Sequence, residues 1–395
     1  MERAKKEKEK KGKKEKKVRG KMTANDLRTE TRKKEPIEEN GSLWIPSGSV
    51  MYNLACSDRW YGAYKAGTMV NTIGNSSSGK SIKALSGMAE AFYLGESGLW
   101  LKDKMPDFAD YDFIYDDAEY ANAFNMVKLF GKGFADAIQS PNEDEPEKFS
   151  TTIEEFEDNI YTRFETGKPF IYCLDSFDAL DAEVEKDKAA DNRKKRKEGK
   201  ETKGSFAAGK QKYASSLLRR ICSELEKTGS FLNIISQTRD NMDPMSRKKQ
   251  TRSGGRALKF YASIEGWLTY IGAITKTING KPYQTGVKTR AKIEKNKYTG
   301  KKREVDFPIF YDYGVDEVTE CVDFLVQNKY WGKPKTKINA VELGMECSLP
   351  KIIANIDSAS QSKKMDLKRK LFEATQTCWN EIEEKLKLDR CGRFD

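Results

Sequence analysis

The segment Gly74-Asn-Ser-Ser-Ser-Gly-Lys-Ser81 stands directly behind the apolar run Thr68–Ile73. That order dictates three consecutive local states: a buried strand, a glycine-framed turn, and a helix opening at Lys80 and Ser81. Successive backbone N–H groups of such a turn face one concavity, and the helix N-terminus behind them adds positive potential. The segment Gly74, Asn75, Ser76, Ser77, Ser78, Gly79, Lys80 and Ser81 is therefore suited to holding a polyphosphate. Lys80 would bridge its outer oxygens and Ser81 would offer a hydroxyl to Mg²⁺. Residues 82–92 continue in a helix-compatible pattern, as the reading requires.

The chain has 395 residues, enough for two domains with tails, and it contains no histidine. Ser-His hydrolases, histidine-ligated metals and imidazole bases are thereby excluded, leaving carboxylates, lysines, glutamines, hydroxyls and a bound metal for any chemistry. The seven cysteines are scattered without paired spacing, the pattern of reduced thiols in a cytoplasmic protein. No apolar stretch reaches spanning length, and the N-terminus lacks the apolar core of a secretory signal. Net charge is +11, with local excess in residues 1–40 and 193–203. Such clusters suit a polyanion partner, although a solvated charge run has the same composition.

Three parts are expected. Residues 1–40 are rich in Lys and Glu, cannot bury a core, and read as a disordered or solvated helical tail. Residues 41–335 carry the short apolar runs Val50–Leu54, Thr68–Ile73, Phe113–Tyr115, Phe170–Leu174, Phe231–Ile235 and Trp267–Ile271, read as strands. Helix-compatible stretches such as Ser81–Leu94, Ala121–Leu129 and Lys212–Glu226 separate most of them. This is the pattern of an α/β fold with a mostly parallel, twisted sheet covered by helices on both faces. Turn signals at Asn279-Gly280 and Thr299-Gly300 predict that Val287–Lys295 and Val305–Tyr311 are antiparallel strands at one edge. Residues 336–395 form a small C-terminal helical unit, with Leu367, Leu371, Ala374, Cys378, Ile382 and Leu386 at helical spacing.

Three strand ends carry candidate chemistry. Phe113–Glu119 closes in carboxylates at the edge where open α/β sheets place ligands, and Glu119 could orient and deprotonate a water. Alone, it reads as an exposed loop acid. Phe170–Ser176 closes in Asp175, where a buried strand would hold one carboxylate beside Mg²⁺. Phe231–Gln237 closes in an amide able to sense a terminal phosphate, or in a satisfied strand-end glutamine.

The run Gly254-Gly-Arg-Ala-Leu-Lys-Phe-Tyr-Ala-Ser263 makes the pattern specific. It resembles the signature of the RecA recombinases, and the phosphate loop, the Asp-Ala-Glu, Leu-Asp-Ser and Gln strand ends, and Thr289–Lys297 follow that family's order. The resemblance covers roughly residues 43–331. It implies a RecA-like core binding ATP and Mg²⁺, with Lys80 on the β- and γ-phosphates, Glu119 as catalytic glutamate, Ser81 and Asp175 on the metal, and Gln237 coupling the γ-phosphate to a DNA loop. It further implies that Lys295 and Lys297 reach the ATP of a neighbouring subunit, and that Lys259 and Phe260 form a subunit contact. The expected partners are single-stranded and then double-stranded DNA and further copies of the chain, as a helical filament rather than a ring.

Two segments correspond to the family's DNA-facing loops, and both are basic. The first holds Arg193, Lys194, Lys195, Arg196 and Lys197; the second holds Arg239, Arg247, Lys248, Lys249 and Arg252. Cations among small residues suit backbone phosphates, although a solvated insertion explains the first as well. Three departures stand out: a tail without the family's apolar strand, a long Lys-rich first loop, and Ile264-Glu265 where the family has Val-Arg. They point to a divergent, phage-type homologue acting in a bacterial or phage-infected cytoplasm in DNA recombination and repair. Two other readings fit the same motifs: a RecA-fold motor or accessory ATPase without strand exchange, and a basic DNA-coating protein with a nucleotide switch.

Overall fold

Apolar runs without polar alternation need cover on both faces, and the fold supplies it. A computed structural model of the chain describes residues 42–96, 101, 103–142, 144–197, 208–240, 250–252 and 255–390. The expected tail, residues 1–40, lies outside them. A short antiparallel pair, β1 (Trp44–Ile45) and β2 (Tyr64–Lys65), stands beside the main sheet. That sheet contains β3 (Met69–Gly74), β4 (Asp112–Asp116), β5 (Ile138–Gln139), β6 (Phe170–Leu174), β7 (Phe231–Asp240), β8 (Gln250–Arg252), β9 (Ile264–Ile278), β10 (Lys281–Asn296), β11 (Glu304–Phe310) and β12 (Gly314–Val315). Their order is β12-β11-β10-β9-β3-β7-β6-β4-β5, with β8 added along β7. From β9 to β5 neighbouring strands are parallel. From β9 to β12 they are antiparallel, giving the expected edge extension. The β9–β10 hairpin turns through Asn279 (φ 52°) and Gly280 (φ 76°), the two positive φ values of a type I′ turn.

Successive residues of each central strand serve opposite faces. Met69, Ile114, Leu174 and Ile234 pack on one side with α5 (Ile153–Glu165) and α7 (Ala208–Thr228). Val70, Phe113, Cys173 and Ile235 pack on the other with α2 (Lys80–Glu96). The remaining helices are α1 (Val50–Ser57), α3 (Met126–Phe130), α4 (Lys132–Ala137), α6 (Glu183–Lys197), α8 (Gly255–Tyr261), α9 (Glu317–Gln327), α10 (Leu349–Asp357) and α11 (Gln361–Lys385). A second small strand pair, β13 (Ile338–Ala340) and β14 (Met345–Cys347), precedes α10. Ile352, Leu371 and Trp379 belong to the same buried cluster as Leu54, Phe307 and Leu325, so residues 336–390 share a core with the sheet. Leu386, the last of the expected apolar stripe, falls just past α11 and is exposed.

Three local expectations change. Val50–Leu54 is helical, not extended: Ser49 Oγ accepts from Tyr52 N at 3.1 Å and caps α1, all eight of whose residues are buried. A helix buried all round shows no polar period, so its sequence looks like a buried strand. Within Ala121–Leu129 the helix begins only at Met126, where Asn125 caps it by accepting from Lys128 N at 2.9 Å. The segment after Leu180 is helical over Glu183–Lys197, with acids in its first turn and Lys194–Lys197 in its last, the charge order that opposes the helix dipole.

Candidate nucleotide site

The C-terminal ends of β3, β4, β6 and β7 lie side by side, and each delivers one functional group. Gly74 ends β3 against Leu268 O and Ser78 Oγ; a Cβ there would sit 2.5 Å from both, so the turn starts on glycine. Gly79 has φ +86°, and a Cβ would meet Ile309 Cδ1 at 2.3 Å. Between them Ser78 N and Ser78 Oγ donate to Asn75 O at 3.3 and 2.8 Å, and Thr289 Oγ1 on β10 holds Ser78 O at 3.1 Å. The turn is thus fixed from inside and from the sheet before α2 begins at Lys80. Lys80 Nζ donates to Asn75 O at 2.7 Å. Burial pushes the Lys80 ammonium below its ordinary range, against the opposing pull of Asp175, Glu119 and Asp178.

Ser81 Oγ and Tyr115 OH both donate to Asp175 Oδ2, the latter at 2.7 Å. Burial raises the Asp175 carboxyl, and the two hydroxyls draw it back. Hydroxyl and carboxylate oxygens are hard donors, and an acid disfavoured by burial favours a cation beside it; this pair therefore fits Mg²⁺, which takes few protein oxygens and completes its shell from phosphate and water. Among the described residues no group of three or more His, Cys, Asp and Glu could hold a metal ion.

Of the acids at the end of β4, Glu119 reaches the other site residues. Asp116 is buried, accepting from Ser150 N at 2.9 Å, Ser150 Oγ at 2.6 Å and Tyr172 OH at 2.6 Å, as a scaffold. Glu119 Oε1 accepts from Gln237 Nε2 at 2.8 Å and from Ser176 Oγ. Gln237 N in turn donates to Asp178 Oδ2 at 2.6 Å, and Arg239 lies 3.8 Å from that carboxylate's other oxygen. The structure therefore brings together Lys80, Ser81, Asp175, Glu119 and Gln237. Tyr115, Ser176 and Asp178 complete the cluster without having been expected. Ser176 and Asp178 follow Asp175 at one and three residues, a local signal; Tyr115 carries none.

The cationic segments divide. Arg193, Lys194, Lys195, Arg196 and Lys197 are exposed on the last turns of α6. Arg247, Lys248 and Lys249 lie outside the described residues. Arg252, expected as a DNA-binding cation, is instead half of a largely buried pair. Its Nη1 is 3.0 Å from Glu265 Oε2, with side-chain exposures of 10% and 4%, while Trp267 Nε1 donates to Glu265 Oε1 at 3.0 Å. Glu265, the acid that replaces the usual cation, is there to neutralise Arg252, and neither group is free for a phosphate.

Lys295 and Lys297 stand at the carbonyl end of α8. Lys295 Nζ donates to Phe260 O at 2.9 Å and to Lys259 O, and Lys297 Nζ to Tyr261 O at 3.1 Å. Burial beside Lys297 pushes the Lys295 ammonium down to about 8. Lys259 is exposed and Phe260 is 73% exposed, an unusual cost for a phenyl ring.

A sequence model of the RecA N-terminal domain matches residues 174–316. Protein RecA of Citrifermentans bemidjiense is 27% identical over 286 residues, covering 72% of this chain and 71% of that protein. Protein RecA of Ehrlichia ruminantium is 27% identical over 304 residues, covering 76% and 73%. Protein RecA of Laribacter hongkongensis reaches 34% over 119 residues, about a third of each chain. No helix among the described residues is long and apolar enough to cross a membrane. Modest identity is sustained along most of both chains, over a sheet that gathers the motifs read from the sequence at one edge: the chain is similar to RecA proteins over about three quarters of its length.

Proposed function

We propose that the chain is an ATP- and DNA-dependent recombinase that assembles on single-stranded DNA and promotes pairing and strand exchange with a homologous duplex. One observation supports this reading above the others. Gln237 Nε2 holds the Glu119 carboxylate at 2.8 Å, and Gln237 lies on the strand that runs on into the β7–β8 stem. A group that grips the hydrolytic acid from the base of a DNA-facing segment is placed to make hydrolysis and DNA binding depend on each other.

The phosphate loop cradles the polyphosphate of ATP, and Lys80 leaves Asn75 O for its terminal oxygens. Ser81 and Asp175 would hold Mg²⁺, which when bound neutralises phosphate charge. Glu119 orients the attacking water and takes its proton. Gln237 releases Glu119 as it turns to the γ-phosphate. Lys295 and Lys297 serve the site of the next subunit: two neighbouring cations at a helix end gain from an anion supplied across an interface, with Lys259 and Phe260 on the adjoining surface. The cations of α6, with Arg239 and the basic residues 247–249, contact the DNA backbone without sequence preference.

Electron microscopy with single-stranded DNA and a non-hydrolysable ATP analogue, paired with a strand-exchange assay, tests the proposal. Filaments and exchanged product are expected. Rings that unwind duplex would replace it with a motor, and DNA coating without DNA-stimulated hydrolysis would replace it with a nucleotide-switched coat.

A further inference from the structure

We propose that Asn75 is a positioning residue that links the phosphate loop to both strands of the β7–β8 stem, so that nucleotide and DNA affinities are coupled through its side chain; this rests on the DNA-dependent ATPase reading above. Its two carbonyl oxygens face different ways. The backbone oxygen accepts from Lys80 Nζ at 2.7 Å and from Ser78 Oγ at 2.8 Å, both inside the phosphate loop. The side-chain Oδ1 accepts from Thr238 Oγ1 on β7 and from Gln250 Nε2 on β8 at 3.4 Å.

Those two partners are 163 and 175 residues away in sequence. An asparagine that only stabilised its own turn would bond to nearby main chain. β7 and β8 pair antiparallel at Thr238↔Arg252, Arg239↔Thr251 and Asp240↔Gln250, so one side-chain oxygen touches both strands of the stem. The link is separate from the Gln237–Glu119 bond: it runs from the side chain of the residue whose backbone carbonyl holds Lys80, rather than from the hydrolytic acid.

Coupling between two ligands is reciprocal, and the residue that carries it need touch neither of them. Hydrogen bonds between neutral groups of this kind are worth about fivefold to tenfold in an equilibrium. Removing Thr238 Oγ1 and Gln250 Nε2 with Thr238→Val and Gln250→Leu cuts the link from the stem side and leaves the phosphate loop untouched. Valine keeps the shape and strand preference of threonine, and Gln250 is exposed.

The experiment uses the full chain. Affinity for a labelled oligothymidylate strand is measured by anisotropy, with and without a non-hydrolysable ATP analogue and Mg²⁺, and affinity for a fluorescent ATP analogue is measured without DNA. The doubly substituted chain is expected to lose about fivefold to tenfold of the nucleotide-induced gain in DNA affinity, while binding nucleotide alone within about twofold of the parent. Adding Asn75→Ala should then change the ratio no further. If the parent responds to nucleotide and the doubly substituted chain responds equally, or if Asn75→Ala has an additional effect on the ratio, the inference is overturned and the functional reading stands. If DNA affinity in the parent ignores nucleotide, both fall together.

Discussion

The Arg252–Glu265 pair gives a sharp energetic prediction. With side-chain exposures of 10% and 4%, a separation of 3.0 Å and a second hydrogen bond from Trp267, the two charges are removed from water and satisfied mainly by each other. Glu265→Met should leave the Arg252 guanidinium buried without its anion and orphan the Trp267 N–H, a loss of about 3–5 kcal/mol. An exposed pair would lose only about 0.2–1 kcal/mol. For a folded unit of about 350 residues the unfolding entropy is roughly 0.7 kcal/mol/K, so 4 kcal/mol lowers Tm by about 5 °C. Arg252→Met in the same chain should restore most of that loss, because an apolar pair of similar volume is as good as the ion pair. Thermal unfolding of the parent, both single variants and the double variant completes the cycle. A single-variant loss under about 1 kcal/mol, or a double variant equal to the sum of the singles, would refute the argument that this is a buried, mutually dependent pair.

Four further expectations are open to direct measurement. Lys80→Ala should weaken binding of a fluorescent ATP analogue at least about a hundredfold, and retained affinity would remove Lys80 from the phosphate site. Glu119→Gln should lower DNA-stimulated ATP turnover by about 10²–10⁴ while nucleotide still binds; parental turnover would dismiss Glu119 as the base. Changing Arg193–Lys197 to alanine should weaken single-stranded DNA binding equally across sequences and flatten the log–log salt slope by about 0.7 for each phosphate no longer neutralised; an unchanged slope removes α6 from the DNA surface. Lys83 is fully buried with its Nζ at Tyr64 OH and 3.7 Å from the Tyr52 ring centre, and burial pushes its ammonium down to about 7. Above pH 7 the unfolded chain keeps a proton that the folded chain has lost, so Lys83 adds up to about 1.4 kcal/mol per pH unit between pH 7 and 8.5, against the opposite slope of the buried Glu90, raised to about 8, and of Glu320. Beyond that window Cys56, Cys173, Tyr52 and Tyr64, all raised by burial, pull the other way. In urea titrations Lys83→Met should make the pH slope of stability less positive than the parent's across that window, and equal slopes in the two chains would place its origin elsewhere.

The phosphate loop was legible because its constraints are local: glycines where a Cβ cannot fit, then a helix start. The parallel strands were legible because burial on both faces leaves unbroken apolar runs. α1 was not, since a helix with every residue buried has no polar face to reveal its period. The burial of Arg252 was not legible for a different reason. Its partner lies 13 residues on, across the sheet, and the odd acid at Glu265 became intelligible only once β8 and β9 had been placed. Likewise nothing within Gly74–Ser81 announces that the Asn75 side chain reaches Thr238 and Gln250.

β7 has one more consequence, a mechanical one. Its first six residues are buried in the sheet, and the strand continues through Gln237 to Asp240 without a glycine, a proline or a break. Gln237 still pairs with Gly74 of β3, and at about 3.3 Å per residue the three residues beyond it carry the strand roughly 10 Å further, paired only with β8. A strand with no joint at the point where it leaves its clamp behaves as a stiff lever. A tilt imposed at Gln237 by events over the phosphate loop is carried to the far end as a larger sweep, instead of being absorbed where it begins.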